Sequence, residues 1–595
     1  MSEGSTQTNI PTWAKYLVGA LVAGTVVYVG GRMYLSSGED ESQNTEENLA
    51  KYGAVDDKTK KALLKKQDGN NFYKEKKYAE AIKSYEEGIK LCDSENKQVL
   101  SELHQNIAAC YSYLLDSVNE IVHCTHALAF NPTFAKALKR RSAAYEKERK
   151  LKDAADDLIV LASLDRANAA EYQAKARELY TDAASIIAHY KFPKIPEANR
   201  PIPHQQMFSW IFHSSVCNPI ANIVRGKTSE SLFAGDDIFL SIIQNLRNHK
   251  FDRALEQTEE YLHDFSSEDK SKSIEGLYLV KLLNLKFKLV QRRFTLVKQM
   301  IADLTVALEK DDLQFDTAIV SKENILVTFK ILQLDYAFKQ SELEGDAFFE
   351  EHIAPYENNT DILLNYGIFK STDFSSFLRI LKTDKWLRWF SGVGISDMTS
   401  MPNNLGKIEE FATKSFAADP NNIFAKWYRY YGVSLNAMVT GDYGEFLKNV
   451  EEFDTAVTGC GYNQDSFIGW FFLSQLCAVS DQVRAIEILD KCRQIYPLNV
   501  VIPIVQVSLQ PGPTDGNMDF TMHLLKMKKT CEEVLTIDPH NSMALKMFAR
   551  ILMEEGKLDE ARSYLEKALD NSSSVEEYAE VSLDTMVFEG LNLNK

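Results

Sequence analysis

Three cationic and two amide side chains near the start of the chain carry spacings that let them act as one receptor: Lys66, Asn70, Asn106, Lys136 and Arg140. Lys66 and Asn70 are four residues apart, as are Lys136 and Arg140, so each pair projects from one face of a helix. Asn106 precedes Arg140 by 34 residues, the period of a helix–turn–helix repeat whose successive first helices line one wall. Lys brings a mobile ammonium, Arg a planar fork, and Asn amide donors with one acceptor. Two closely spaced carboxylates satisfy that set, for instance the terminal carboxylate of a peptide beside the side chain of a final Asp. Charge-assisted bonds of this kind contribute about 1.5–3 kcal/mol each, and capture of a C-terminal carboxylate is an established mode of peptide recognition.

A basic groove is unexpected here because the 595-residue chain is acidic, with 84 Asp and Glu against 67 Lys and Arg and a formal charge of −17. That balance argues against general binding of nucleic acid, which needs a cationic face. The eight cysteines (Cys92, Cys110, Cys124, Cys217, Cys460, Cys477, Cys492 and Cys531) show no C-x-x-C pair and no zinc spacing. They read as small core residues in a reducing compartment. No glycine-rich phosphate loop, G-x-S-x-G elbow or metal-spaced His/Glu pair occurs, so no catalytic residue, cofactor or metal ligand is expected and the chain reads as a non-enzyme. His123 and His126, three apart, are a possible metal pair. With no third ligand evident, they and His104 read as packing or surface residues.

The elements that must position the five residues are helices. Tyr78-Ala79-Glu80-Ala81-Ile82 followed by Tyr85 has the form of a second-helix entry in a tetratricopeptide (TPR) repeat, with Gly69 and Ala81 small enough for close helix pairing. Asn106 to Tyr111, closing at Asn131-Pro132, gives a second unit, and Lys139 to Tyr145 with Ala154 a third. Asp538-Pro539, Leu545, Ala549, Gly556, Ala561, Tyr564 and Ala568 repeat the pattern near the far end. Degenerate units are expected at His249–Leu255, Asp419–Asn422 and Ala485–Pro497. Residues 270–400 are helical by pattern but have no repeat register. Such repeats stack into a solenoid with a concave wall, and Ser572–Lys595 is expected to cap its end.

Upstream, Tyr16–Gly31 is a run of 16 residues without a charge, flanked by Lys15 and Arg32, with Trp13, Tyr16, Tyr28 and Tyr34 as interfacial anchors. At 1.5 Å per residue it spans about 24 Å, enough for a membrane if the flanking residues snorkel. The expected organisation is therefore an all-α TPR superhelix behind a single N-terminal transmembrane helix. It divides into a short segment at 1–15, the anchor at 16–34, an acidic linker at 35–57, a TPR clamp domain at 58–190, a connector at 191–234 and a degenerate TPR array at 235–595.

The set Lys66/Asn70, Asn106, Lys136/Arg140 resembles the dicarboxylate clamp of TPR co-chaperones. The order of anchor, clamp domain and long helical array resembles the family of 70-kDa receptors of the mitochondrial outer-membrane translocase. That resemblance implies binding of the C-terminal Glu-Glu-Val-Asp of 70- and 90-kDa heat-shock chaperones by the five residues. It also implies receipt of hydrophobic mitochondrial precursor proteins in the C-terminal array, delivery to the outer-membrane translocase core, and a single-pass place in the outer membrane with the body in the cytosol. The client-binding residues stay unknown. Trp427, Tyr428, Tyr430, Tyr431, Trp470, Phe471 and Phe472, like Trp386–Phe390, read as packed helix faces. The alternative is a membrane-anchored TPR co-chaperone on another organelle, without a precursor site. Two features depart from the repeat pattern, Glu120 where a small residue is usual and extra residues around Asp93–Gln98, and neither is expected to touch the clamp.

Overall fold

The computed structural model describes residues 57–592 apart from 213–217, 227, 266–271, 310–314, 316–319, most of 341–422, 465 and 510–519. The anchor, the linker up to residue 56, Asp419–Asn422 and Trp386–Phe390 lie outside the described residues. Every regular element described is a helix, and among them none is long and apolar enough to cross a membrane. The chain divides into two units, one formed by 57–194 together with 574–592, the other by 195–573.

The first unit opens with three helical pairs: α1 (Asp57–Lys74) with α2 (Tyr78–Leu91), α3 (Lys97–Tyr113) with α4 (Ser117–Phe130), and α5 (Ala135–Lys147) with α6 (Leu151–Leu164). The longer α7 (Ala169–Lys191) follows. Small residues set the pairing distance. Ala81 and Ala154, each the fourth residue of a second helix, are fully buried. Gly69 lies so close under Tyr85 that a Cβ there would come within 2.4 Å of the ring. Apolar side chains fill the seam, with Ile82, Tyr85, Val99, Leu103 and Ile107 in one cluster. Asn96 and Asp116 cap α3 and α4 by accepting from the amides of Val99 (3.5 Å) and Asn119 (3.0 Å).

Each pair turns through the same device. Lys76, Leu115 and Arg149 take positive φ (61°, 59° and 58°). Around them the amides of Lys77, Asp116 and Lys150 reach back to the carbonyls of Phe72, Tyr111 and Tyr145 at 2.9–3.0 Å. This is the Schellman ending, in which glycine is usual because a side chain at that position costs about 1 kcal/mol. Gly441 and Gly556 hold the equivalent place in later pairs.

The second unit begins with the proline-rich connector and the short α8 (His204–Phe212) and α9 (Pro219–Val224). It continues through α10 (Asp237–Arg247), α11 (Phe251–His263), α12 (Ile274–Val290), α13 (Phe294–Leu308) and α14 (Lys322–Gln340). Beyond the undescribed stretch come α15 (Ile423–Thr440), α16 (Tyr443–Thr458), α17 (Phe467–Ser480), α18 (Gln482–Ile495), α19 (Val501–Ser508), α20 (Phe520–Ile537), α21 (Ser542–Glu554) and α22 (Leu558–Asp570). The expected repeats at 249–255, 485–497 and 538–568 fall on α10–α11, α17–α18 and α21–α22. Trp427 and Trp470 are buried, and Tyr430, Tyr431, Phe471 and Phe472 pack against the same core. These aromatics are packing residues, as expected.

The last helix, α23 (Val575–Asn592), corrects one expectation. It belongs to the first unit and does not cap the helices that precede it in sequence. Met586 enters a core with Leu179, Tyr180 and Ala183 of α7. Gly590 leaves room for the Tyr180 hydroxyl, which donates to Asp156 at 2.6 Å, and Lys152 pairs with Glu589 at 3.5 Å. The apolar face of α7 that a fourth repeat would cover is thus covered by the end of the chain.

Candidate functional site

The polar wall is built on the first helices of the three pairs. Asn70 and Asn106, from α1 and α3, meet directly: the Asn106 amide donates to Asn70 Oδ1 at 3.2 Å, and the buried Tyr85 hydroxyl donates to the same oxygen at 2.8 Å. With its acceptor held from two sides, Asn70 presents its amide hydrogens elsewhere. Burial raises the Tyr85 hydroxyl well above the usual tyrosine range, so it stays a donor. Because Gly69 sets the position of Tyr85, the α1–α2 packing and the orientation of Asn70 are one structural fact.

Lys66, one turn before Asn70, forms an ion pair with Glu102 of α3, both largely sheltered. Gln98 also donates to Glu102, at 3.4 Å. Arg140 on α5 is close enough to α1 and α3 for its charge to act on Tyr73 and on Cys110, whose thiol burial pushes up to about 12 against the pull of the guanidinium. The inner nitrogen of Arg140, Nε, lies 3.8 Å from Glu120 Oε1, and Lys147 Nζ lies 3.7 Å from the other oxygen of the same carboxylate. Lys136, one turn earlier on α5, is exposed and carries no ion pair among the described residues. Lys66, Asn70 and Asn106 are therefore gathered, Arg140 borders them, and Lys136 stands toward solvent.

Two members of this arrangement escape a reading of the sequence alone. Glu102 precedes Asn106 by one helical turn, so the spacing that selects Lys66 and Asn70 also places Glu102 on the wall. Glu120 is only 2 % exposed and occupies, as the fourth residue of α4, the place of Ala81 and Ala154. The expectation that it stays clear of the clamp is wrong. Its longer side chain leaves the helix seam and ends between Arg140 and Lys147.

His104, His123 and His126 come together at the α3–α4 seam, with Nδ1 of His104 and His123 3.1 Å apart and ring centroids 5.0–6.2 Å apart. Burial and mutual repulsion lower His104 and His123 to about 4, so at neutral pH one ring donates to the other. Among the described residues no three His, Cys, Asp or Glu are arranged to hold a metal. In the second unit a buried polar set, unmarked in the sequence, joins Lys286 to Asp335 (2.8 Å) and Lys339 to Gln206 (3.2 Å), with Lys286 near the Trp210 ring.

Helical pairs spaced 39 and then 34 residues apart, closed by the same turn and presenting cations and amides from their first helices, define a TPR-type helical-repeat protein with a candidate carboxylate-binding wall. No family model matches the chain. It is similar to the mitochondrial import receptor subunit TOM70 of Homo sapiens, 28 % identical over 229 residues, covering 38 % of this chain and 37 % of that one. The match thus spans little more than a third of the human receptor's length. The crystal structure of yeast Tom70 aligns over 90 % of this chain and 97 % of its own at 19 % identity, with a TM-score of 0.42. The first TPR of Spaghetti (RPAP3), solved bound to an HSP90 peptide SRMEEVD, is 32 % identical over 22 % of this chain and 97 % of its own, with a TM-score of 0.19.

Proposed function

We propose that this chain is a mitochondrial import receptor, held in the outer membrane by residues 16–34 with its body in the cytosol. Lys66, Asn70, Asn106, Lys136 and Arg140 dock the C-terminal Glu-Glu-Val-Asp of the 70- and 90-kDa heat-shock chaperones. The second unit receives the hydrophobic precursor those chaperones carry and passes it to the translocase core. Holding chaperone and client on one chain makes the second engagement intramolecular and raises its effective concentration. The observation that carries the reading is the Asn70–Asn106 hydrogen bond between successive first helices, flanked by Lys66 and Arg140. It is the arrangement a terminal carboxylate and a neighbouring Asp side chain would complete, and the likeness to TOM70 supports the rest.

The test is binding of a peptide ending in Glu-Glu-Val-Asp to the full chain and to Lys136→Glu. Because Lys136 is exposed, the variant should fold normally, and its affinity should fall at least about tenfold, the loss of one charge-assisted contact. Unchanged affinity would remove the clamp assignment. Charge reversal at Arg140 is a poorer choice, since it would set a second carboxylate against the buried Glu120 and destabilise the unit.

A further inference from the structure

The three turns that close the helical pairs of the first unit carry a second surface, and it is unlike the clamp. At the α3–α4 turn Tyr113, Leu114 and Leu115 are all exposed, Leu115 to 85 %, and the apolar strip continues along α4 through Val118 and Val122. Leu115 holds this place at the expense of a positive φ that glycine would adopt freely. Strain kept in a bulky, solvent-facing residue is a reason to look for a function. Tyr73, Tyr78 and Tyr113 form one ring cluster, with centroids 4.9–5.7 Å apart, that ties this turn to the α1–α2 turn. On the other side Lys147 reaches Glu120 at the start of α4, which places the α5–α6 turn alongside. The two flanking turns contribute Lys74, Lys76, Lys77, Lys147, Arg149 and Lys150, all exposed, against Glu75 and Glu148. Lys77 pairs with Glu75 at 2.8 Å and Lys147 with Glu120 at 3.7 Å, which leaves Lys74, Lys76, Arg149 and Lys150 as the cations offered outward.

We infer that this turn edge docks on an anionic lipid surface, with Leu114 and Leu115 entering the interface, the tyrosines at headgroup depth and the flanking cations over the lipid phosphates. The inference rests on the proposed membrane anchoring, since the uncharged run Tyr16–Gly31 and the linker after it would keep the first unit beside a bilayer. A protein partner would need an apolar centre with acidic flanks, whereas an anionic bilayer beside the proposed anchor supplies both features at once. Tyrosine and aliphatic side chains between basic residues are the composition of an interfacial contact. In a chain of net charge −17, a local cationic edge is also what lets the body approach an anionic leaflet at all.

The experiment follows amide hydrogen exchange of the full chain on phosphatidylcholine vesicles, with and without phosphatidylserine. Exchange through Leu114–Val118 should slow several-fold on the anionic vesicles and revert at high salt. Leu115→Gly relieves the turn, so its Tm should hold or rise while the lipid-dependent slowing is lost. Lys76→Glu with Arg149→Glu should lose the slowing without touching the core. If the chain does not float with either vesicle, the membrane reading fails and this one with it. If it floats and the turn exchanges equally on both, only this inference is overturned. Slowing that requires a second protein and not lipid overturns it in favour of a protein contact.

Discussion

Glu102 and Glu120 stand against the two cations that the proposed clamp most needs. Glu102 occupies Lys66 directly, so an incoming carboxylate must compete with it. Glu102→Gln should therefore tighten binding of a Glu-Glu-Val-Asp peptide by roughly two- to fivefold, the scale of one partly sheltered ion pair, as titration calorimetry would read; equal or weaker binding would remove Glu102 from the site. Glu120 acts differently, because its carboxylate lies 3.8 Å from the inner nitrogen of Arg140, on the side away from the outer fork that the proposed ligand would take. Glu120→Ala restores the residue that other repeats bury at this place, and Arg140 and Lys147, partly exposed, can recover water. The first unit should gain about 1 kcal/mol, since a buried carboxylate is seldom worth its desolvation, while tail affinity falls as Arg140 loses its orientation. A variant both less stable and unchanged in binding would contradict that account. The histidines add a pH dependence. His104, His123, His204 and His249 all fall from the ordinary 6.5 to about 4, first because burial disfavours the charged ring. Between those values the unfolded chain binds more protons than the folded one, so their contribution is full above 6.5 and is lost as pH falls toward 4. Denaturant titrations across that window should show declining stability, and His104→Phe should flatten the part belonging to the first unit.

At the scale of helices, the α1–α2 pair joins packing and the proposed recognition through one contact. Gly69→Ala would drive a methyl group into the Tyr85 ring, costing about 1–3 kcal/mol and moving the hydroxyl that orients Asn70. Melting temperature and tail affinity should fall together, and a loss of one without the other would separate what the geometry joins. The helical pairs themselves were legible from the sequence because each depends on local signals: apolar period, small residues at fixed places, Asn-Pro or Asp-Pro at the exits. Gly69 and Ala81 mark a close helix approach by residue size alone. Glu120 was visible as an exception, but its consequence was not, since the direction of a displaced side chain depends on α5, a neighbour in the next pair. Glu102 was missed for a different reason: the same spacing argument finds it, but a carboxylate is not what one seeks in a carboxylate receptor. The placement of α23 was illegible because its apolar positions, Val581, Met586 and Phe588, fit any exposed helical face. Nothing local names α7 as the partner.

For the whole molecule, that placement means the first unit is not contiguous in sequence. The chain leaves it after Lys194 and returns after Ser573. Removing residues 575–595 uncovers Leu179, Tyr180 and Ala183 and takes Glu589 from Lys152, which keeps its pair with Asp156. The first unit should then melt at least about 5 °C lower, and tail binding through the distant Lys66 and Asn70 should persist at low temperature. Melting unaffected by the truncation would show α23 to be dispensable. There is also a consequence for biosynthesis. Domains ordinarily fold as they leave the ribosome, the earliest first. Here the helices of 57–194 wait for α23, which is translated only after residues 195–573, and throughout that interval the α7 face is expected to stay bare. A nascent chain in that state would present an apolar surface of the kind chaperones bind, to the same class of partner whose tails its finished form is proposed to hold.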